Sequence, residues 1–331
     1  MNARPLLSAD DITKSFPVRR SLRAVLSGAP PLAVRALNGA SLSVRHGETL
    51  AIVGESGCGK STLARAIVRL MDVDSGQIDF DGADVLRLGG RHLRDYNRYV
   101  QMVFQDPYGS LNPRRTVGEA LTEAISVHRL MPKAEIPARI ASLLDLVRLP
   151  ATALGRLPHE FSGGQRQRIA IARALSVEPR VLVADEIVSA LDVSVQAQII
   201  NLLLELQERL GLSILFVSHD LRVVRHIAHR VAVMYLGRVV ENGTAQAVFD
   251  TPRHPYTRAL MRAAPKLRGG RRSTTAEVPG ELPSPLKIPS GCPFHPRCSM
   301  VQHRCTVDLP LSRVIEDDHF SACHFAEAVT A

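Results

Sequence analysis

Residues 54–62 read GESGCGKST and follow the apolar run TLAIV. No other stretch constrains the fold as strongly. The pattern G-x-x-x-x-G-K-[ST] requires a strand before it and a helix after it, with glycines that let backbone N–H groups converge on an anion. TLAIV is short, apolar and β-rich, and it stops at Gly54, which predicts a buried strand. Leu63, Ile67, Leu70 and Met71 then recur at helical spacing. The helix N-terminus adds its positive dipole to the converging N–H groups. In such a loop Gly54, Glu55, Ser56, Gly57, Cys58, Gly59, Lys60, Ser61 and Thr62 all line a phosphate. Lys60 reaches the β- and γ-phosphates, and Ser61 ligates Mg²⁺. Cys58 occupies a variable position where a small side chain fits.

RVLVADE (180–186) and SILFVSHD (213–220) are two further buried-strand candidates. Between them Ile199, Leu202, Leu203, Leu206 and Leu210 form a helical stripe that ends at Gly211, a glycine C-cap. Strands alternating with helices imply an α/β fold with a parallel sheet. Residues 17–35 are basic and broken by Pro and Gly, and read as a loop between two short strands. Residues 107–160 look mostly helical, and VAVMYLGRVVENGT (231–244) looks like a hairpin. From Thr251 onward periodicity fades, which sets a boundary between a domain over 1–250 and an extension over 251–331.

The chain has 331 residues, of which 45% are apolar, enough for a substantial core. Trp is absent and aromatics are 4%, which argues against stacking platforms for single-stranded nucleic acid. A net charge of +9 is compatible with nucleic acid, an anionic membrane surface or a polyphosphate ligand. The start MNARPLLSADDITKSF shows no secretory h-region, and no apolar run reaches the roughly 20 residues that span a bilayer. The expectation is a soluble cytosolic chain with reduced thiols.

Asp185 and Glu186 end a buried strand, and ligands of α/β sheets bind beyond the carboxyl ends of strands. Asp185 suits Mg²⁺ held through water, and Glu186 suits polarising an attacking water. His219 ends another such strand. FSGGQRQR (161–168) runs into the helical IAIARAL, so Ser162, Gly163, Gly164 and Gln165 make a second candidate anion site.

These motifs together resemble the ATP-binding subunit of an ATP-binding cassette (ABC) transporter. The resemblance implies that SGGQ covers the nucleotide held by a partner subunit's phosphate loop. It implies that Gln105, in MVFQDP, contacts Mg²⁺ and couples to membrane subunits. Ser189, Ala190, Leu191 and Asp192 match the loop across the dimer interface, His219 the switch histidine at the γ-phosphate, and Phe16 the aromatic that stacks on adenine. The implied fold is an ABC-type P-loop NTPase cassette with an antiparallel β subdomain, a helical subdomain over about 107–165 and a C-terminal Cys-rich extension. QDPYGSLNPRRTVGE (105–119), PRHPYTRAL (252–260), PGELPSPL (279–286) and the tail resemble the dipeptide/oligopeptide importers, most of all their dipeptide-importer ATPase subunit. One position departs from that family: Ile187 stands where a proline usually follows the catalytic Glu.

The resemblance implies an ATPase that energises peptide import at the cytoplasmic face of the cell membrane. Its implied partners are a second, different ABC ATPase, two transmembrane permeases and, indirectly, an extracytoplasmic peptide-binding protein. Nucleic acid is not expected. The rival classes are a soluble ABC ATPase acting on DNA or ribosomes, an importer of another substrate such as nickel chelates, and an unrelated P-loop kinase or GTPase. SGGQ counts against the last, and the absence of a heptad-rich insertion against the first.

Four of the five cysteines, Cys292, Cys298, Cys305 and Cys323, crowd into the tail. Four thiolates there suit a metal staple on a segment with little core of its own. Zinc usually takes close C-x₂₋₄-C pairs, and none occurs here. A [4Fe–4S] cluster also takes four Cys, though not usually at this spacing. His295, His303, His319 and His324 are further candidates for zinc. The resemblance favours the [4Fe–4S] cluster, with a structural role.

Overall fold

The computed structural model describes residues 4–18, 32–106, 109, 111–263 and 280–329. Most of the basic loop read over 17–35 lies outside them, as do Pro107, Tyr108 and Ser110 of the 105–119 motif. In chain order the strands are β1 (Leu7–Pro17), β2 (Ala33–Val44), β3 (Thr49–Val53), β4 (Ser75–Phe80), β5 (Ala83–Asp84), β6 (Val100–Val103), β7 (Val181–Asp185), β8 (Ser213–Val217), β9 (Arg230–Tyr235), β10 (Arg238–Thr244), β11 (Arg313–Glu316) and β12 (His319–Ser321). The α-helices are α1 (Lys60–Ile67), α2 (Gly90–Tyr99), α3 (Val117–His128), α4 (Ile136–Leu146), α5 (Gly163–Leu175), α6 (Val193–Leu210), α7 (Leu221–Ile227), α8 (Ala245–Asp250), α9 (Pro255–Ala263) and α10 (His303–Val307). None of the described helices is long and apolar enough to cross a membrane. The chain forms two compact units: Met1–Leu6, Val44–Thr49 and Phe80–Ser218 make one, and Leu7–Ser43, Leu50–Asp79 and His219–Ala331 the other.

In the first unit β7 lies between β6 and β8, parallel to both. Every residue of β7 and β8 is buried, which explains why their sequences are unbroken apolar runs rather than alternating ones. Asp185 sits opposite Val217 at the ends of the two strands. The helical stretch expected over 107–160 is built from α3, α4 and short 3₁₀ turns. Thr116 and Glu119 form a capping box at the start of α3, and Val117, Leu121 and Ile125 are its buried stripe. Ile136, Ile140, Leu143 and Leu144 play the same part in α4. Helix α6 ends at Gly211, which adopts φ 62, as a glycine C-cap requires.

In the second unit β3 pairs with β9 in parallel, and β9, β10, β12 and β11 follow in antiparallel order. Leu236 and Gly237, at φ 43 and φ 77, make the tight turn of the β9–β10 hairpin. The strands beside the basic loop are longer than expected, eleven residues in β1 and twelve in β2. The periodicity after the phosphate loop carries less far than expected: α1 stops at Ile67. Arg69 turns left-handed at φ 58, and Leu70, at 58% exposure, joins no helical face.

Within this second unit, Glu241 of β10 ties the residues after Thr251 to the sheet. Its side chain is fully buried and accepts from Arg253 N at 2.6 Å and His254 N at 2.9 Å. His319 Nε2, from β12, lies 2.8 Å from the same carboxylate. Removing the carboxylate strands three polar groups at once, two of them buried. Glu241→Ala is expected to lower the unfolding free energy by about 3 kcal/mol, read as a fall in the urea midpoint. An unchanged midpoint would remove Glu241 from the fold's main supports.

Candidate functional site

The loop between β3 and α1 is shaped by close backbone approach. A Cβ at Gly54, where φ is 151, would stand 2.3 Å from Met234 O and 2.8 Å from Cys58 Sγ. At Gly59, φ 106, it would stand 2.5 Å from Ala36 O. Side chains are therefore barred behind the loop at Gly54 and Gly59. Gly59 is the N-cap of α1, so the positive end of the helix dipole lies at the loop. Lys60 is 3% exposed and donates to Gly54 O at 2.9 Å and Glu55 O at 3.0 Å. Its ammonium is thus held over the loop on two carbonyls. Cys58 is buried with its sulfur 3.9 Å from Lys60 Nζ, and burial pushes its thiol pKa up. Its part is to fill space. Ser56 and Gly57 are exposed at the tip, and Ser61 and Thr62 lie half-buried in the first turn of α1.

Phe16 near the end of β1 is 38% exposed, so it is not a core residue. Lys14 Nζ lies 5.7 Å from its ring centroid. The aromatic face is available to a planar ligand. His219 is exposed and immediately precedes Asp220, whose carboxylate caps α7 by accepting from Arg222 N at 2.9 Å.

In the first unit Asp185 is buried at the end of β7, and Glu186 follows in a left-handed conformation at φ 49. That turn is fixed from both sides. Glu186 N donates to Val217 O at 3.0 Å, and Glu186 O accepts from Ser189 N at 3.1 Å and Ser189 Oγ at 2.9 Å. Gln105 Nε2 reaches Ser189 Oγ at 3.3 Å, so the expected Mg²⁺ contact and the expected interface loop are linked through one hydroxyl. Ala190, Leu191 and Asp192 continue that loop to the N-cap of α6. Gln196 clamps it by donating to Val188 O at 2.9 Å and Leu191 O at 3.0 Å. Sequence reasoning missed Gln196, because a glutamine in a helix's first turn carries no signal of its own.

Ser162 caps α5. Its hydroxyl accepts from Gln165 N at 3.4 Å, while Gln165 Oε1 accepts from Ser162 N at 3.0 Å. The signature therefore contains a capping box, which the S-x-x-Q spacing announces. At Gly164 a Cβ would meet Val195 Cγ1 at 2.4 Å. The small residues bring α5 against the start of α6, and a helix N-terminus with free N–H groups remains.

Cys292, Cys298, Cys305 and Cys323 line one pocket together with Phe294, Met300 and Phe325. All four are free thiols. Met300 N points at Cys298 Sγ and Phe325 N at Cys323 Sγ, both at 3.4 Å, and Phe294 N serves Cys292 in the same way. Burial pushes the Cys292 thiol up to about 12 and Cys323 up to about 11, and each also feels the charge of the other tail cysteines. Among the described residues no three or more His, Cys, Asp or Glu are gathered closely enough to hold a single metal ion. Of the candidate histidines, His319 is turned to Glu241, and His303 is exposed and does not line the pocket. His295 and His324 do line it, but each engages a backbone carbonyl, of Cys292 at 3.0 Å and of Asp308 at 2.9 Å.

Residues 37–189 match the family described as ABC transporter, and residues 240–305 match the oligopeptide/dipeptide transporter C-terminal region. The chain is 47% identical to the oligopeptide transport ATP-binding protein AppF of Bacillus subtilis, over 98% of each chain. It is 45% identical to the dipeptide transport ATP-binding protein DppF of Haemophilus influenzae, over 96% of each. Among solved structures, cbiO1 of Clostridium perfringens, part of the ABC transporter complex cbiONQ, superposes with a TM-score of 0.63 at 28% identity, covering 75% of this chain and 91% of that one. The dimeric cassette MJ0796 bound to ADP and Pi gives a TM-score of 0.62 at 27% identity, covering 72% and 98%. With its glycine-shaped phosphate loop, its acidic strand end and its capped signature turn, the chain belongs to the ATP-binding cassette transporter family, in the group that carries the oligopeptide/dipeptide transporter C-terminal region.

Proposed function

We propose that this protein is the ATP-hydrolysing subunit of a di-/oligopeptide importer, acting at the cytoplasmic face of the cell membrane. The observation that carries the reading is the loop over Gly54–Thr62, whose glycines admit no Cβ and whose Lys60 is buried at the N-terminus of α1. The relatives named as dipeptide and oligopeptide transport proteins support the substrate class. The match over 240–305 favours an importer over an ABC ATPase acting on DNA or ribosomes.

Each residue has a chemical role. The loop N–H groups and Lys60 bind the β- and γ-phosphates, and exchange of the Gly54 and Glu55 carbonyls for phosphate oxygens frees Lys60 for that task. Phe16 stacks on the adenine. Ser61, Gln105 and Asp185 supply hard oxygen donors, the set Mg²⁺ requires. Mg²⁺ when bound neutralises charge that builds on the phosphates. Glu186 accepts the proton of the attacking water, and its left-handed backbone, held by Val217 and Ser189, aims the carboxylate. His219 senses the γ-phosphate. Ser162, Gly163, Gly164 and Gln165 offer the start of α5 to the nucleotide of a second, different ATPase, and Ser189–Asp192 line that interface. Two permeases and, through them, a peptide-binding protein complete the assembly. Residues 1–250 act as the nucleotide-binding domain and 251–331 as the extension.

The extension holds a [4Fe–4S] cluster through Cys292, Cys298, Cys305 and Cys323. The fit rests on four thiols around one pocket and on backbone N–H groups aimed at three of the sulfurs, which stabilise thiolates.

Lys60→Ala removes the buried ammonium and is expected to weaken Mg·ATP binding in calorimetry; an unchanged affinity would exclude the loop as the nucleotide site. Glu186→Gln keeps ATP binding and lowers hydrolysis roughly 10²–10⁴-fold. In the assembled transporter it abolishes peptide uptake, and uptake at the wild-type rate would sink the assignment. Anaerobically purified protein is expected to be brown and to carry about four irons. Colourless protein with one zinc would replace the cluster by a zinc site.

A further inference from the structure

We propose that Arg297 is a positioning residue of the nucleotide site, through which the four-cysteine tail sets the affinity of the phosphate loop. The proposal rests on the nucleotide reading above and adds a control point to it. Arg297 lies on the short turn His295–Arg297, between two cysteines of the tail pocket. Its guanidinium is 3% exposed and grips Glu55 with both arms, Nη1 to Oε2 at 2.7 Å and Nη2 to Oε1 at 3.0 Å. Glu55 is the second residue of the phosphate loop. A two-pronged Arg–carboxylate pair fixes direction as well as distance.

Glu55 is held by the extension at a second point. Its N–H donates to Tyr256 Oη at 2.9 Å, from the first turn of α9. Its carbonyl is one of the two that hold Lys60. The residue that props the phosphate-binding lysine is therefore itself propped by the C-terminal extension, on its side chain and on its backbone. Tyr235, Tyr256 and Phe294 pack as three rings with centroids 4.6–5.4 Å apart beneath this contact. Phe294 also lines the cysteine pocket.

The turn that carries Arg297 is closed by backbone groups of the residues that flank it. His295 N donates to Cys292 O at 2.9 Å, Arg297 N to Phe294 O at 3.0 Å and Cys298 N to His295 O at 3.3 Å. Cys292 N in turn donates to Cys305 O at 2.8 Å, so the backbone at three of the four cysteine positions is continuous with the turn, and whatever holds the cysteines in place holds it too. When the tail holds its fold, Arg297 neutralises Glu55 and fixes it away from the phosphates. When the tail is released, a free carboxylate stands in the first turn of the loop, where it repels the nucleotide and lets the Lys60 prop move. By linkage the effect is reciprocal: bound nucleotide must hold the tail closed.

The test uses the full-length, anaerobically purified chain and Mg·ATP. Arg297→Gln is expected to weaken Mg·ATP on the order of tenfold, with Arg297→Lys between it and wild type because it keeps the charge and loses the fork. Cys298→Ser weakens binding similarly in the wild-type background and adds little to Arg297→Gln. A purely structural tail would instead give additive losses. If the folded Arg297→Gln chain binds Mg·ATP as wild type does, or if Cys298→Ser adds its full effect on top, the proposal is overturned. Should Arg297→Gln fail to fold, the reciprocal measurement decides. Mg·ATP slows amide hydrogen exchange over residues 292–305, read by mass spectrometry, and does so less in Glu55→Gln. Equal protection in the two chains, or none in wild type, overturns the proposal. A wild-type chain that binds no Mg·ATP overturns the nucleotide reading itself.

Discussion

The loop between β3 and α1 is closed to side chains on one side by neighbouring backbone. Here that closure is the approach of Gly54 to Met234 O and of Gly59 to Ala36 O. It determines much of what surrounds it. Leu236 and Gly237 must turn left-handed to bring the hairpin under the loop, and Gly237 N then donates to Cys58 O at 2.8 Å. Asn38 locks the same turn to β2, with its N donating to Gly237 O and its side chain to Leu236 O. Glycine at 54, 59 and 237 is thus one requirement met at three positions, because each carries a positive φ and faces a backbone carbonyl.

The carboxylate turn uses a different device. Glu186 has a Cβ and still adopts φ 49, a conformation that is costly for most side chains. Hydrogen bonds to Val217 and from Ser189 hold it there. The family's usual proline at the next position would stiffen the chain through its ring. Ile187 is instead buried, at 2% exposure. A proline acts by removing freedom from the unfolded chain, a buried isoleucine by adding apolar contacts to the folded one.

Much of this was legible before any coordinates. Buried strands β3, β7 and β8 read as apolar runs, the stripe of α6 ended at its glycine, and the GESGCGKST and SGGQ motifs each fell at the start of a helix. What stayed hidden was long-range. Nothing in the spacing of Glu55 and Arg297 reveals a contact across 242 positions. The early end of α1 was also hidden, since Leu70 and Met71 match a helical period that Arg69 breaks by its backbone conformation. The Gln105–Ser189–Glu186 chain was legible only as three separate residues, because loop side chains meet through tertiary geometry rather than periodicity.

The extension also finishes a sheet. Strand β10, RVVENGT, pairs with β9 on one side and with β12 on the other, and β11 lies outermost. Without β12 the outer side of β10 at Glu241 and Asn242 would be left as an open sheet edge, a template for other chains. The outermost strand that replaces it is only four residues, RVIE, with a charge at each end. Arg313 pairs there with Glu327, and Glu316 with Arg253. A short strand with a charge at both ends is a poor surface for intermolecular pairing. The segment that follows the cysteines Cys292–Cys305 thus gives this sheet an edge that is short and charged rather than long and apolar.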